Sequence, residues 1–303
     1  MTKDPFIRLY AAIAAEEIER IRHYRKPAQR FTASEAGNCP WRLWFKLRGY
    51  RPAPNTPEAV LRMLQGEIDH NLIRNLFRKY NIDIKGVTFD ATTDYMGAPV
   101  FETMTARKSF EIPMPDGLTD TITLSARADG AVETDEGWAI FEFKGMGQWA
   151  YDHLNDEALM GDEYLLKRLE AKHRYYVWQM QISMLLFDFQ LAYLGPKHRS
   201  DAQYGLERKD GTRFGVVIKR NDAKILEIQQ SLAMIQRHVR NGTPPPKSCR
   251  ELKGSGSCNN CEFYHLCHGA DERKKKGLEP VVLYPGPQIE EHPDQPISGE
   301  AKE

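Results

Sequence analysis

Two carboxylates and a lysine stand at a spacing that could support hydrolysis at a phosphate. Asp129 precedes Glu142, Phe143 and Lys144, and the segment leading to Glu142 consists of Trp, Ala, Ile and Phe. A hairpin turn centred between residues 135 and 136 places Asp129 opposite Glu142, with their Cβ atoms roughly 4.5–5.5 Å apart. Because strand side chains alternate between faces, Glu142 and Lys144 share one face and Phe143 points to the other.

These acidic residues predict a site for a divalent cation. Buried carboxylates are costly together unless a cation compensates them, and Mg²⁺ and Mn²⁺ favour carboxylate oxygens, backbone carbonyls and water. Such a cation lowers the pKa of bound water and stabilises charge on a phosphate under attack. Lys144 would orient the water or neutralise the transition state. The alternative is an ordinary Glu–Lys ion pair on an exposed edge strand, although the apolar neighbours of Glu142 favour a buried strand.

Two predicted helices carry further candidate residues. Periodicity predicts a helix over residues 58–79, with His70 at the margin of its apolar stripe, so a solvent-edge histidine is the alternative to a metal ligand. A second helix, over residues 173–188, is apolar nearly all round, and its Gln179 and Gln181 need partners if buried. A glutamine bonded to backbone is the alternative to a catalytic one. The stripe of the first helix comprises Ile68, Leu72, Ile73, Leu76 and Phe77.

The cysteines predict a second metal site. Their odd number and the absence of an apolar leader argue against a disulfide framework. Four of the five cluster near the C-terminus, and the spacing Cys258-x2-Cys261-x5-Cys267 is typical of chelation. One interpretation is a zinc site that adds Cys249, with His265 and His268 as further candidate ligands. The other is a metal cluster whose fourth ligand comes from elsewhere in the chain.

The remaining pattern predicts an α/β fold with a mixed sheet. Helices are expected over residues 6–24, from Cys39 onward, over 154–170 and over 222–240. Short strands and loops are expected over 82–114, and further strands over 191–194 and 214–219. Residues 121–132 and 138–144 form the hairpin in the middle of the sheet, which makes the sheet mixed.

Composition narrows the class of protein only partly. Lys and Arg together number 42, equal to Asp and Glu, so the net charge neither supports nor excludes a polyanionic partner. The apolar share of 41% is typical of a globular protein. Without a long apolar run or an apolar leader, we expect a cytoplasmic protein with no membrane partner.

The order of these residues resembles the PD-(D/E)XK nuclease superfamily, in its RecB-like branch. Asp129 and the Glu142–Lys144 segment resemble its signature, Gly66 through His70 resembles its Gly-x-x-x-His motif, and Gln179 resembles its helical glutamine. The resemblance implies a restriction-endonuclease-like core with a central mixed sheet flanked by helices.

The resemblance also implies site roles. His70, Asp129, Glu142 and the carbonyl of Phe143 would bind the metal ion, and Lys144 and Gln179 would complete the catalytic group. Where the family often has a tyrosine four residues after the glutamine, this chain has Ser183. A tyrosine one helical turn earlier, Tyr175 or Tyr176, is the candidate substitute.

Iron–sulfur members of that branch include the CRISPR-associated Fe–S exonucleases and the AddB-type nuclease subunit. The resemblance implies that Cys39, Cys258, Cys261 and Cys267 bind a structural [4Fe–4S] cluster that joins the two ends of the chain, and it leaves Cys249 outside the pattern. The implied organisation is an N-terminal helical region at 1–80, a nuclease core at 81–242, a cysteine-rich segment at 243–279 and a mobile tail at 280–303.

The function implied is a Mn²⁺- or Mg²⁺-dependent DNA nuclease, an exonuclease on single-stranded ends, in a prokaryotic or phage-encoded setting. Recombination, repair or CRISPR adaptation proteins are the expected partners. The alternatives are a non-cleaving DNA-binding module on the same fold and a zinc-stabilised DNA-binding scaffold. The basic run at residues 273–276 could follow phosphates, and Trp149 and His153 could border a DNA channel.

Overall fold

The computed structural model of the chain describes residues 4–24, 28–80, 82–85, 88–93, 99–102, 104–199, 203–246 and 261–268. Cys249, Cys258, the basic run at 273–276 and the tail from 280 lie outside these residues, as do the side chains of His265 and His268. None of the described helices combines the length and apolarity needed to cross a bilayer.

Most helices form close to where the sequence predicts them, and prolines mark three of their starts. The single helix predicted over residues 154–170 is wrong, because two helices, Gln148–Met160 and Asp162–Lys172, meet at Gly161, whose φ of 118° is not helical. Pro5, Pro40 and Pro57 each stand at the first helical position, where a missing N–H costs nothing. Asp4 caps the first helix by accepting from the N–H groups of residues 6 and 7. The helices are α1 Pro5–Arg22, α2 Pro40–Arg48, α3 Pro57–Lys79, α4 Gln148–Met160, α5 Asp162–Lys172, α6 Arg174–Phe187, α7 Asp222–Arg240 and α8 Tyr264–His268, with a 3₁₀ turn at Ala33–Glu35.

The strands form a mixed central sheet and three smaller ones. The central sheet has the order β12-β9-β8-β7-β2, in which β8 and β9 are parallel and the other pairs are antiparallel. A three-stranded sheet has the order β1-β6-β5. The predicted α/β class with a mixed sheet is confirmed. The strands are β1 Phe31–Thr32, β2 Ile84–Lys85, β3 Thr88–Thr93, β4 Pro99–Glu102, β5 Met104–Pro113, β6 Thr119–Ala128, β7 Gly130–Thr134, β8 Gly137–Met146, β9 Leu191–His198, β10 Leu206–Glu207, β11 Arg213–Phe214 and β12 Val216–Lys219.

The strand that the sequence predicts over residues 121–132 is interrupted at Asp129. Strand β6 ends at Ala128 and belongs to the three-stranded sheet, whereas β7 begins at Gly130 and belongs to the central sheet. Gly130 has a φ of 143°, a backbone conformation that residues other than glycine rarely adopt. The predicted hairpin register is confirmed between β7 and β8, because Gly130 pairs with Phe141. The paired residues begin at Gly130, so Asp129 lies just before them.

Strand β8 lies in the middle of the central sheet and is covered on both sides. Phe141 and Phe143 pack with Ile73 of α3 on one face. On the other face, Ile140 packs with Met180 of α6 and with side chains of α4 and α5. Residues 139–143 are all buried. The alternative of an exposed edge strand around Glu142 is therefore wrong.

Helix α3 turns a different face to the sheet than the one its apolar residues predict. Ile68 and Leu72 are exposed, whereas Ile73 is buried. Asp69 and Arg74 are buried beside Ile73. The predicted stripe is wrong at its first two positions because buried charged side chains, which hydrophobic periodicity does not count, select the face of the helix.

Residues from both ends of the described chain share one core. Leu43 and Trp44 of α2 pack in the same buried cluster as Leu232 of α7 and Phe263 beside α8. The backbone N–H of Ala53 donates to the carbonyl of residue 262 at 2.8 Å. The Trp41 indole N–H donates to the carbonyl of residue 245 at 2.8 Å. The N-terminal helices are therefore attached to the C-terminal segment by apolar burial and by specific hydrogen bonds.

We expect Gly130→Ala to destabilise the protein by about 1–3 kcal/mol, because a Cβ at this φ is strained. The free energy of unfolding in urea measures the effect. Gly66→Ala is the control: Gly66 lies inside α3, a Cβ there meets no atom within 4 Å, and alanine should stabilise the helix by about 0.5–1 kcal/mol. Equal stability of Gly130→Ala and wild type would contradict a required positive φ.

Candidate active site

Asp129 is a buried carboxylate with partners on two elements. Its Oδ1 accepts from the Arg74 guanidinium at 2.7 Å and lies 2.8 Å from Nδ1 of His70. Its Oδ2 accepts the backbone N–H of Phe143 at 2.9 Å. The carboxylate therefore joins α3 to the middle strand of the central sheet at the point where the chain passes from β6 to β7.

Glu142 has a separate set of partners, from β8 and α6. Its Oε1 accepts from Nζ of Lys144 at 2.6 Å and from Nε2 of Gln179 at 2.6 Å. Only 6% of the Glu142 side chain and 22% of the Lys144 side chain are exposed. Lys144 is thus the part of this group that reaches solvent, and Gln179 fixes the carboxylate from α6.

The pKa values follow from burial and from these charges. Burial alone would raise the pKa of Asp129, but His70 and Arg74 hold it below the ordinary aspartate range. Burial raises the pKa of Glu142 against the attraction of Lys144, and the negative charge of Asp129 adds to the rise. Burial would lower the pKa of Lys144, but the charge of Glu142 outweighs it and raises that pKa. Lys144 therefore remains protonated at neutral pH.

Arg74 is a member of this site that the sequence prediction missed. Only 3% of its side chain is exposed, and burial lowers the pKa of its guanidinium against the attraction of Asp129. Its spacing from His70 was the available signal, because residues four apart lie on the same helix face. An arginine beside Ile73 and Phe77, on the face that must pack, requires a buried anion as its partner.

A second buried ion pair, also missed, joins α3 to β9. Nζ of Lys197 lies 2.5 Å from Oδ1 of Asp69, and both side chains are at most 8% exposed. Asp69 also accepts from Gln65 one turn earlier, at 3.2 Å. This pair precedes His70 on α3, so it fixes the part of the helix from which His70 reaches Asp129.

The two glutamines of α6 have different partners. Gln179 bonds to the carboxylate of Glu142, whereas Gln181 donates to the carbonyl of Lys219 at 2.9 Å and accepts the backbone N–H of Asn221. Gln181 is therefore a backbone-bonded structural glutamine. Ser183, where the family often has tyrosine, has a buried hydroxyl without a hydrogen-bond partner.

The tyrosines one turn earlier on α6 lie beside the catalytic lysine candidate. The Tyr176 ring centroid is 5.8 Å from Nζ of Lys144, and the rings of Tyr175 and Tyr176 are 4.1 Å apart.

Trp149, on α4, is 70% exposed and contacts His153 edge to face at 4.4 Å. The role of these two residues at a DNA channel stays a prediction.

The donor types fit a hard divalent cation, but the arrangement is that of an ion-paired site. Carboxylates and imidazole are accepted ligands of Mg²⁺ and Mn²⁺. Among the described residues, however, no three His, Cys, Asp or Glu side chains are gathered so as to hold a metal ion. Arg74 and Lys144 supply positive charges to the two carboxylates. These two side chains thus already compensate the charges for which the sequence predicted a divalent cation.

The described cysteines come from both ends of the chain. Cys39 caps the start of α2, and Cys261 precedes the short α8 that contains Cys267. Burial raises the pKa of the Cys261 thiol to about 11, and the nearby Cys39 adds to that rise. Phe263 stacks on a phenylalanine of α2 at 5.8 Å. Cys258, the remaining predicted ligand, lies outside the described residues.

No protein-family model matches the sequence, and a comparison with curated proteins finds no match. Among solved structures, the chain is similar to SSO0001, with a TM-score of 0.47 and 14% identity over 85% of this chain and 95% of that chain. It is similar to LHK-Exo, an alkaline exonuclease from Laribacter hongkongensis, with a TM-score of 0.39 and 15% identity over 82% and 96% of the two chains. LHK-Exo in complex with dAMP gives a TM-score of 0.40 and 16% identity over 82% and 98%. Likenesses this distant transfer neither a residue role nor an activity.

We expect Arg74→Met to destabilise the protein by about 3 kcal/mol, because it leaves the buried Asp129 carboxylate without its guanidinium. Adding Asp129→Asn should recover part of that loss, with a coupling free energy of about 1–3 kcal/mol in a double-mutant cycle measured by urea unfolding. Additive effects of the two substitutions would show that the contact contributes nothing specific to stability.

Proposed function

We propose that this protein is a divalent-metal-dependent nuclease that hydrolyses DNA phosphodiesters. The observation that carries the proposal is the group in which Glu142, on the buried middle strand, accepts from Lys144 of the same strand and from Gln179 of α6. Asp129 accepts the N–H of Phe143, the residue next to Glu142. A structural ion pair gains little from burial at the centre of a sheet, because desolvation offsets its Coulomb attraction. A reaction that needs a carboxylate and a protonated amine side by side accounts for this arrangement.

Lys144 would act as a charged donor and not as the general base. Its raised pKa keeps the ammonium protonated, so it would orient the attacking water and offset negative charge that develops on the phosphate. Gln179 would hold the Glu142 carboxylate in one orientation through its 2.6 Å hydrogen bond. Because the Lys144 side chain is partly exposed, the ammonium is available to a phosphate from solvent.

Asp129, Glu142 and His70, with the Phe143 carbonyl, would hold Mg²⁺ or Mn²⁺. The ion would lower the pKa of water and stabilise charge on the phosphate. Arg74 contributes by keeping Asp129 ionised, since its positive charge helps to depress the pKa of that carboxyl. Exonucleolytic action on single-stranded ends is the finer proposal, and it rests on the family resemblance of the motifs.

A DNA-binding module that does not cut is the second candidate. It is favoured by the pairing of Asp129 with Arg74 and of Glu142 with Lys144, which balances the charges without a metal ion. In that case the two ion pairs would be structural, and DNA would bind elsewhere on the surface. Cleavage assays separate the two candidates directly.

We expect wild type to cleave end-labelled DNA with Mn²⁺ or Mg²⁺ but not with EDTA. Glu142→Ala and Lys144→Ala should each lower the rate about 10²–10⁴-fold, because each removes a group that acts on the transition state. The rate of product formation on single- and double-stranded substrates is the measurement, and the product ladder distinguishes exonuclease from endonuclease action.

The matched controls are Glu136→Ala and Lys219→Ala. Glu136, in the turn between β7 and β8, and Lys219, on β12 of the same sheet, form an exposed ion pair at 2.6 Å, so their loss should leave cleavage unchanged. Activity that persists in Glu142→Ala would place the chemistry elsewhere. A folded wild type that never cuts with either metal would favour the non-cleaving module.

We also propose that Cys39, Cys258, Cys261 and Cys267 bind a [4Fe–4S] cluster. What supports it is that Cys39 contributes to the raised pKa of Cys261 and that Phe263, just before α8, stacks on Phe45 of α2. A cluster would supply a crosslink between chain ends that are distant in sequence, which limits the freedom of the unfolded state. Bound metal would also stabilise the thiolate of Cys261, whose pKa is otherwise about 11.

We expect Cys39→Ala to lose the brown colour and the iron and sulfide content of the wild type and to lower the melting temperature. Cys249→Ala, which lies outside the proposed ligand set, should keep all three properties. Visible absorbance, iron and sulfide assays and thermal unfolding are the measurements. A colourless wild type that contains zinc would replace the cluster with the zinc-site alternative.

A further inference from the structure

A groove of about 460 Å³ opens on the three-stranded sheet β1-β6-β5. Its lining combines arginines with hydroxyl side chains and small residues, and no described residue that lines it is acidic or aromatic. The polar lining consists of Arg30, Thr32, Ser34, Thr105, Arg107, Ser125, Arg127 and Gln179.

Strand pairing brings the polar lining to one face of the sheet. Arg127 of β6 pairs with Thr105 of β5, and Arg107 of β5 pairs with Ser125 of β6, so the two arginines are diagonal neighbours. Diagonal Cβ atoms in an antiparallel pair lie roughly 7–8 Å apart. Thr32 of β1 pairs with Ser125 from the other side. Two cationic side chains thus flank a row of hydroxyls.

The three arginines of the groove have no ion pair or hydrogen bond from their side chains to any other described residue. Arg30, Arg107 and Arg127 are all exposed. Elsewhere on the same sheet, by contrast, Asp120 of β6 forms ion pairs with Arg237 and Arg240 of α7. Unpaired guanidinium groups beside hydroxyl donors, with no carboxylate among them, are suited to bind an anion.

The groove adjoins the candidate active site through one shared residue, Gln179. Gln179 lines the groove and also donates to the Glu142 carboxylate at 2.6 Å. Arg127 precedes Asp129 by two residues, at the end of β6. An anionic chain that lies along the groove would therefore reach Glu142 at one end.

We propose that this groove binds the sugar–phosphate backbone of a single DNA strand and leads it to Glu142, an inference that rests on the proposed nuclease function. Guanidinium and hydroxyl groups contact phosphates without reading bases. Because no described lining residue is aromatic, binding is independent of base sequence and depends strongly on salt. The groove has the volume of a site for one small molecule, which suits a short length of a single strand.

The test is binding of a fluorescein-labelled oligo(dT) in EDTA, at NaCl concentrations from about 50 to 200 mM. The variant is the double substitution Arg30→Ala/Arg107→Ala, which spares Arg127 because of its closeness to Asp129. The matched control is Lys108→Ala, which removes a positive charge from the same strand but from a residue that does not line the groove. Thermal unfolding checks that all three proteins are folded.

We expect the double variant to bind about five- to tenfold more weakly at low salt. The slope of log affinity against log salt should fall by about 1.4, since each lost phosphate contact on a single strand contributes about 0.7. Lys108→Ala should keep the wild-type affinity and slope. In cleavage assays, KM should rise in the double variant while kcat changes little, because the chemical groups are intact.

The possible outcomes separate the groove from the proposed function. A double variant that binds with wild-type affinity and slope overturns the groove inference, even if wild type cleaves DNA. A wild type that never cleaves but binds oligo(dT) through Arg30 and Arg107 keeps the groove and removes the nuclease. Binding of a blunt duplex through these arginines, with no binding of oligo(dT), overturns the single-strand assignment.

Discussion

Asp129 cannot stay ionised in its buried position without positive partners, and most of the site depends on how the chain supplies them. Arg74 and His70 come from α3, and the Phe143 N–H comes from the middle strand. An unpaired buried charge would cost several kcal/mol, so helix α3 is held with these residues facing the sheet. The Asp69–Lys197 pair adds a second fixed point. Exposure of Ile68 and Leu72 follows, because the helix cannot bury both faces.

The features that depend on local pattern could be predicted from the sequence. Alternation and the apolar residues around Glu142 indicated a buried strand, and the turn at residues 135–136 gave the hairpin register in which Gly130 pairs with Phe141. Gln179 binds the Glu142 carboxylate and Gln181 binds the backbone. Which glutamine does which depends on how α6 is rotated relative to β8, and two glutamines on a helix that is apolar nearly all round do not indicate that rotation.

The features that depend on distant partners could not be predicted. The break at Asp129 exists because β6 and β7 pair in different sheets, and only Gly130 hints at it in sequence. In the sequence, Arg74 is one of several charged residues on its helix, and its buried partner Asp129 is 55 positions away. The net charge of zero gave no indication of the arginine-lined groove, because the total charge of a chain does not show where side chains of one sign are grouped.

The packing of α2 against α7 and Phe263 bears on how the chain acquires its fold during synthesis. The ribosome makes the N-terminal part first, yet the buried cluster that holds Leu43 and Trp44 is complete only after α7 and Phe263 have been synthesised. Strand β1 likewise cannot pair until its partner β6 has been synthesised. During translation, the side of α2 that faces α7 and Phe263 therefore stays uncovered until those residues have been synthesised. In that interval its side chains form the kind of apolar surface that is prone to aggregation and to which chaperones bind.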